Sequence, residues 1–406
     1  MQFAIPTNWQ DDFLAGIGNP GEALEIYGKL NSDFFGGGKH SFQLPDVSKR
    51  KIRNDIAAMH RAGFKFNYLL NGTCLNNLEW TIGGQKKIRS MLDWLVKSGA
   101  DAVTVAIPYL LVMIKKNYPS LRVSVSTLVG INSVAAARHW EDLGADKITL
   151  LNTDVNRDFP LLRKLREAVG CQLQLIANVN CLYRCPFYLC HGNAASHSSQ
   201  KGHRLKGFVI DYCRISCRYR QMMEPVEFIR SPWIRPEDVA CYEKIGIDSL
   251  KLIDRGMSTF WISLILKAYL TRKYEGNLID LFPSPLKTVR FNKFNPWYLS
   301  RYFFFPGFAN VFKLLRLKGL LKEPEIYIEN RKLDNFIDFF TKHDCNLLSC
   351  RDCGYCGKIA RETVRVEEVS LRQAAGKYRE CLDILISGEL FKGHFAAAED
   401  IKGLDK

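Results

Sequence analysis

Acidic residues are in short supply: 42 Asp and Glu stand against 57 Lys and Arg, a formal net charge of +15. That imbalance excludes a preference for cationic partners. It favours nucleic acid, an anionic membrane surface or an anionic small molecule. Long apolar runs are also lacking. WISLILKAYL is interrupted by Lys267 and falls short of a membrane span. The opening MQFAIPTNWQDD has no basic stretch leading into an apolar one, so no secretory signal is expected and the chain reads as cytoplasmic. His-Glu-x-x-His and Gly-x-Ser-x-Gly are both absent, which removes the signatures of a zinc protease and of an elbow serine hydrolase. There is no low-complexity segment and no repeat beyond a strand–helix alternation.

Cysteine, by contrast, is abundant at thirteen residues. In a reducing compartment these are metal ligands or free thiols rather than disulfides. Cys345, Cys350, Cys353 and Cys356 form the run Cys-x4-Cys-x2-Cys-x2-Cys in CNLLSCRDCGYC. Short turns, eased by Gly354 and Gly357, can bring four such thiolates onto one cubane or one zinc ion. A zinc ribbon separates two Cys-x2-Cys knuckles by a longer span, so iron–sulfur is the first reading and zinc the alternative. Cys181, Cys185 and Cys190 lie in NCLYRCPFYLC, and Cys213 and Cys217 in DYCRISCRY. The two Cys-x3-Cys pairs predict a second four-thiolate site, with Cys190 as a spare or alternative ligand. Two [4Fe–4S] clusters are therefore expected. Cys74, Cys171, Cys241 and Cys381 are scattered and read as small apolar core residues.

Eight apolar runs alternate with amphipathic helical patterns over the first 255 or so residues: FAIPT, ALEIYGKL, KFNYLLN, AVTVAI, RVSVSTLV, KITLLN, QLQLIANVN and SLKLID. Several helical patterns stop at Gly-Ala or Ala-Gly just before the next run. The order predicts a parallel sheet with crossover helices, and eight units suit a (β/α)8 TIM-like barrel better than an open doubly wound sheet. Expected units are a barrel over 1–280, a basic aromatic linker over 281–324 and a small cysteine-rich α+β extension over 325–406. Cys181 directly follows the seventh run, so 181–225 is an enlarged loop at the catalytic end of the barrel. Asn71, Cys74, Asn178, Asn180, Asp254 and Arg255 also fall at strand ends. Each alone reads as a satisfied turn residue; together they outline one mouth.

Between Leu281 and Lys322 the sequence has eight basic residues, eleven aromatics and no acidic residue. This strip reads as a linker packed on the barrel, as peripheral membrane contact through 287–322, or as an RNA platform.

The stretch RPEDVACYEKIGIDSLKLIDRGMSTFWISLILKAYL resembles the end of the barrel in the peptidase U32 family. The resemblance rests on Glu237/Asp238, the turn Gly246 to Ser249, and Lys251 with Arg255. Cys181 and Cys213-x3-Cys217-Arg218 resemble that family's cysteine-bearing region, and the likeness spans roughly residues 1–275. The family is named for peptidase activity. Better understood branches resemble iron–sulfur proteins of oxygen-independent hydroxylation, acting in anaerobic ubiquinone synthesis or on RNA, with prephenate the suspected oxygen donor. The resemblance implies a barrel-held [4Fe–4S] cluster and a related iron–sulfur partner protein. The usual Glu and His-Gly before the first cysteine are here Leu173 and Ala177-Asn178, and the strand-end Glu-Gly is Ile253-Asp254. These departures mark a divergent branch.

The expected activity is a redox or hydroxylating enzyme on an anionic, RNA-type or quinone-type substrate. Asn71, Asn178, Asn180, Arg218 and Arg255 are the candidate catalytic residues. Arg230 and Arg235 are further candidates to grip carboxylate or phosphate. The terminal cluster would pass electrons to the first. His191, His197 and His203 are candidate proton donors. The alternatives are a peptidase, for instance with Cys190 and His197 as nucleophile and base, and a zinc-stabilised RNA-binding or accessory module.

Overall fold

The computed structural model describes residues 1–18, 24–205, 207–284, 287, 288, 309–347 and 349–392. Eight parallel strands close a barrel in chain order. They are β1 (Gln2–Pro6), β2 (Leu24–Gly28), β3 (Lys65–Leu70), β4 (Ala102–Val105), β5 (Arg122–Val125), β6 (Lys147–Thr149), β7 (Gln172–Ile176) and β8 (Ser249–Lys251). Closure comes from pairing Gln2 with Ser249 and Phe3 with Leu250. All eight expected runs became strands, although the ladders stop short of where the apolar runs end. β6 ends at Thr149 and β7 at Ile176. An apolar run reports burial: Leu150 and Ala177 stay buried, and each donates a last amide to the neighbouring strand, to Gln174 O and Lys251 O, before the ladder ends.

The crossover helices start where short polar side chains cap free amides. Ser48 accepts from Lys51 N, Thr81 from Gly84 N, Ser133 from Ala136 N and Asp158 from Leu161 N. Their apolar faces and the outward strand residues, such as Phe3, Ile5, Ile26, Phe66, Val103 and Val123, make one continuous core. The barrel lumen differs. Lys147 Nζ meets Glu25 Oε2 at 2.8 Å and Asn67 Nδ2 reaches Ser124 Oγ at 3.4 Å. Neither pair of strands is adjacent, so these contacts cross the interior. Thr104, Thr149, Gln174 and Ser249 complete a hydrogen-bonded polar layer. The floor beneath the mouth is polar rather than an aliphatic plug.

After β8 the helix Thr259–Thr271 packs against the barrel, and the remaining chain folds back along it. Strands β9 (Ile326–Ile328) and β10 (Val364–Val366) pair antiparallel. Phe336 and Phe340, from the helix Phe336–Lys342, join the barrel's own core. Arg235 ties this region down, donating to both Asp238 oxygens at 3.1 and 3.0 Å and to Asn330 O at 3.0 Å. The expected phosphate-gripping role of Arg235 therefore gives way to a structural clamp. The helix Glu368–Ile386 lies on the helix Tyr212–Met223, with Leu371, Ala374, Tyr378 and Leu382 against Ile215 and Met222. Most of the basic aromatic strip, residues 285, 286 and 289–308, lies outside the described residues. So do its membrane and RNA readings. The helix Val311–Leu320 that follows seats Leu317 in the same small core as Ile215.

Candidate functional site

Two groups of functional side chains share the C-terminal face of the barrel. The first is the mouth itself. The loop after β2 folds over it because glycines permit very close approach. A Cβ on Gly72 would sit 1.8 Å from Phe35 O, and one on Gly36, at φ +69°, would sit 2.3 Å from Ser196 O. This loop carries Lys29, Asp33 and Lys39 inward. Lys29 Nζ pairs with Asp33 Oδ1 at 3.0 Å, with both side chains about 1% exposed. Asp33 is further held by Tyr68 Oη at 3.0 Å and by the amides of Phe35 and Gly36 at 3.0 and 2.9 Å. Lys39 pairs with Asp254 from the end of β8. Burial pulls the lysines at positions 29 and 39 below the ordinary range, and their carboxylate partners oppose that shift.

Arg255 is buried in the same place and its Nη1 has no hydrogen-bond partner. Burial lowers its affinity for the proton, against the pull of Tyr27, Asp254 and Asp33. Asn71 Nδ2 donates to Ser126 Oγ at 3.3 Å, but its Oδ1 is also unpartnered. The mouth thus holds two matched ion pairs, one surplus guanidinium and one free amide oxygen. Deeper in, Lys251 Nζ lies 4.0 Å from the centroid of the Tyr27 ring, and burial brings it down to about 7.

The second group is the thiols. Cys181 and Cys185 sit on the tight turn after β7, where Arg184 adopts φ +50° and its amide donates to Thr153 O at 3.0 Å. Cys213 and Cys217 lie one turn apart on the helix Tyr212–Met223. Burial pushes the Cys181 thiol up to about 12, with Cys217 and Cys185 adding to the rise and Arg218 opposing it. Burial raises Cys217 to about 11, again against Arg218. Burial also raises Cys185 and Cys213: Cys185 is raised further by Cys213 of the other pair, and Cys213 by Asp211, Cys190 and Cys217. The four thiols inferred from spacing therefore face one another, with Cys190 beside them. Arg218 is fixed at this site by Glu323 at 3.2 Å and by Gln221 Oε1 at 2.7 Å. Gln221 in turn donates to Asn180 Oδ1 at 2.9 Å.

The terminal run forms a second thiol group. Cys345 feels Cys350 and Cys353, and Cys356 feels Cys345 and Cys350, in each case behind a larger contribution from burial. Arg157 anchors it. The guanidinium stacks over Trp233 at 4.2 Å, Phe336 at 4.9 Å and Phe340 at 5.2 Å, and donates to Ile229 O at 2.6 Å. Arg230 pairs with Glu227 at 2.9 Å and faces Cys350 and Cys356. Tyr183, on the first thiol turn, lies within the field of Cys345 and Cys350.

Among the described residues no three of these sulfurs lie within 4.8 Å of one another. A four-thiolate zinc site needs sulfurs roughly 3.8 Å apart, given Zn–S of about 2.3 Å in a tetrahedron. A cubane, which takes one thiolate at each of four iron corners, holds its sulfurs further apart. Four thiolates are the donor set that such a cubane takes.

The expected residues thus divide. Arg255 and Asn71 line the mouth, while Arg218 and Asn180 support the first thiol group. Asn178 spends both ends of its amide on a clasp, donating to Ile253 O and to Leu281 O at 3.0 Å and accepting from Ile253 N at 2.7 Å. Cys190 and His197 share the helix Tyr188–Ser198, and seven residues of rise separate them by about 10 Å, too far for a nucleophile–base hydrogen bond. His197 stacks on His203 at 5.0 Å, and His191 faces Asp211. Lys29, Asp33 and Lys39 were not singled out by sequence reasoning. Their one signal was a lysine directly behind an apolar strand run.

Comparison with known proteins gives these geometries a context. Residues 34–173 match the family model for Peptidase family U32. The chain is 27% identical over 346 residues to an uncharacterized protease of Methanocaldococcus jannaschii, covering 85% of this chain and 90% of that one. A solved U32 peptidase structure aligns at 21% identity over 62% of this chain and 92% of its own, with a TM-score of 0.46. A chitinase from Rhizomucor miehei aligns at 10% identity over 67% of this chain and the whole of its own, with a TM-score of 0.37.

Proposed function

We infer that this chain, a Peptidase family U32 protein by its matched barrel segment, is an iron–sulfur redox enzyme acting on an anionic substrate at the barrel mouth. Oxygen-independent hydroxylation is the reaction class that fits it best. The observation that carries this reading is the convergence of Cys181, Cys185, Cys213 and Cys217 beside a mouth that already holds an unpartnered, buried guanidinium.

The chain's own residues divide the work. Arg255 Nη1 and Asn71 Oδ1 supply a donor and an acceptor whose hydrogen bonds remain to be made, which favours a substrate carrying an oxyanion beside a hydroxyl or amine. The Lys29–Asp33 and Lys39–Asp254 pairs fix the walls, so little reorganisation accompanies binding. Arg218 lies at the thiol group, where its charge favours thiolates over thiols. Four thiolates would hold a [4Fe–4S] cluster, which supplies electron transfer when bound. Cys345, Cys350, Cys353 and Cys356 would hold a second, and Tyr183 on the first thiol turn lies within the field of Cys345 and Cys350.

Protein purified without oxygen should contain about eight iron and eight sulfide per chain. It should show an electron paramagnetic resonance signal after one-electron reduction. Colourless protein carrying stoichiometric zinc overturns this reading. The relative's description as a protease supports hydrolysis as the second reading. Peptide cleavage by iron-free protein, abolished by a thiol alkylator, would establish it.

A further inference from the structure

His40, His191 and Asp211 come from three separate elements: the loop over the mouth, the helix Tyr188–Ser198, and the residue preceding the helix Tyr212–Met223. Their ligand atoms all lie within 4.8 Å of one another, the one such triad among the described residues. Both imidazoles aim Nε2 at the same carboxylate oxygen, Asp211 Oδ2, His40 from 3.2 Å and His191 from 3.0 Å. From these atoms we propose that His40, His191 and Asp211 form a mononuclear site for a divalent first-row transition ion, built from nitrogen and oxygen donors beside the first thiol group. The proposal does not depend on iron–sulfur clusters being present.

Three observations support it. Metal–ligand distances of about 2.0–2.2 Å place neighbouring donors roughly 2.9–3.5 Å apart, the range in which both imidazoles meet the carboxylate. The outer partners are in place as well. Asp211 Oδ1 accepts from Arg214 N at 3.0 Å, which leaves Oδ2 as the single outward donor. His40 Nδ1 contacts Ser198 Oγ at 2.7 Å, and that hydroxyl donates to Ala195 O at 2.9 Å, so Nδ1 is the donor toward the serine. His40 Nε2 then presents a lone pair, as a metal ligand requires. Without an ion the lone pair would face a carboxylate oxygen, or else the buried ring would have to donate from both nitrogens. A divalent ion resolves that conflict with neutral imidazoles.

Two imidazoles and one carboxylate leave coordination positions open to water or substrate. The His191 side chain is 46% exposed, so those positions are reachable from solvent. Lys39, next to His40 in sequence, pairs with Asp254 in the mouth, which puts the ion on the rim of the substrate site.

The test is a Co2+ titration of the full chain purified without oxygen. One equivalent should bind with the visible d–d absorption of a nitrogen–oxygen ligand set and no thiolate-to-cobalt charge-transfer band. His191→Ala, at an exposed position, and Asp211→Asn should each weaken binding by about 100-fold while iron and sulfide stay at the unsubstituted level. Circular dichroism verifies that both variants fold. Absence of cobalt binding, a thiolate charge-transfer band, or unchanged affinity in both variants overturns the site. Loss of iron in His191→Ala also overturns it, because His191 would then belong to the thiol group.

Discussion

The barrel mouth and the thiol loops lie on one face, yet they are built in opposite ways. In the mouth nearly every charge has a partner supplied by the chain: Lys29 with Asp33, Lys39 with Asp254, Lys147 with Glu25. The thiol groups have no such matching. Cys181, Cys185, Cys213 and Cys217 face one another, and burial pushes each thiol up. The mouth is preorganised and lacks only a ligand for Arg255 and Asn71. The thiols are a donor set without an acceptor, and a metal centre would deprotonate them and hold them in shared coordination.

The largest expected effect breaks the thiol side into its two parts. Cys213→Ser should remove about half of the iron and Cys353→Ser the other half, read as iron per chain. Loss of all the iron, or of none, from either substitution would show that the grouping is wrong.

Next in size is the joint between the regions. Arg157→Ala removes a guanidinium stacked on three aromatic rings together with its bond to Ile229 O. Urea unfolding should report a loss of about 3 kcal/mol, and iron should be lost from the Cys353 group before the Cys213 group. Equal loss from both would mean that Arg157 serves the fold as a whole.

Arg255→Met tests the mouth. Removing a buried cation whose Nη1 lacks a hydrogen bond should leave stability unchanged or raise it by about 1 kcal/mol, while binding of a dicarboxylate probe falls at least tenfold. A clear loss of stability would make Arg255 a structural residue.

The smallest effect concerns Lys251. Its proton is held in the unfolded chain to about 10.5 but is released in the folded one near 7. Between those values the unfolded chain binds more protons, so stability should rise with pH through that window, by on the order of 1–3 kcal/mol. Lys251→Met should flatten the rise, as measured by denaturant midpoints at pH 7 and pH 10.

Much of this was legible in the chain. The eight strands followed from apolar-rich runs of strand length alternating with helical patterns, because the outward face of each strand is buried under the helices. The polar lumen residues Glu25, Asn67 and Gln174 did not disguise them. Cys213 and Cys217 were legible as a pair from spacing, because thiols one turn apart on a helix share a face. Strand ends were overrun at QLQLIANVN and KITLLN, where buried loops are as apolar as strands. Arg235 and Asn178 looked like site residues because strand ends and arginines are common at sites. Only their partners, Asp238 and Ile253, reveal them as a clamp and a clasp.

The sequence alone therefore determined the barrel, which follows from local periodicity, and nominated both thiol sets from their short spacing. Tertiary structure decided the mouth and the His40, His191 and Asp211 triad. Lys39 meets Asp254 across 215 residues and His40 meets Asp211 across 171. No local pattern encodes such pairs. They exist because a closed barrel gathers all its loops at one end, and only the closed sheet sets which side chains meet there.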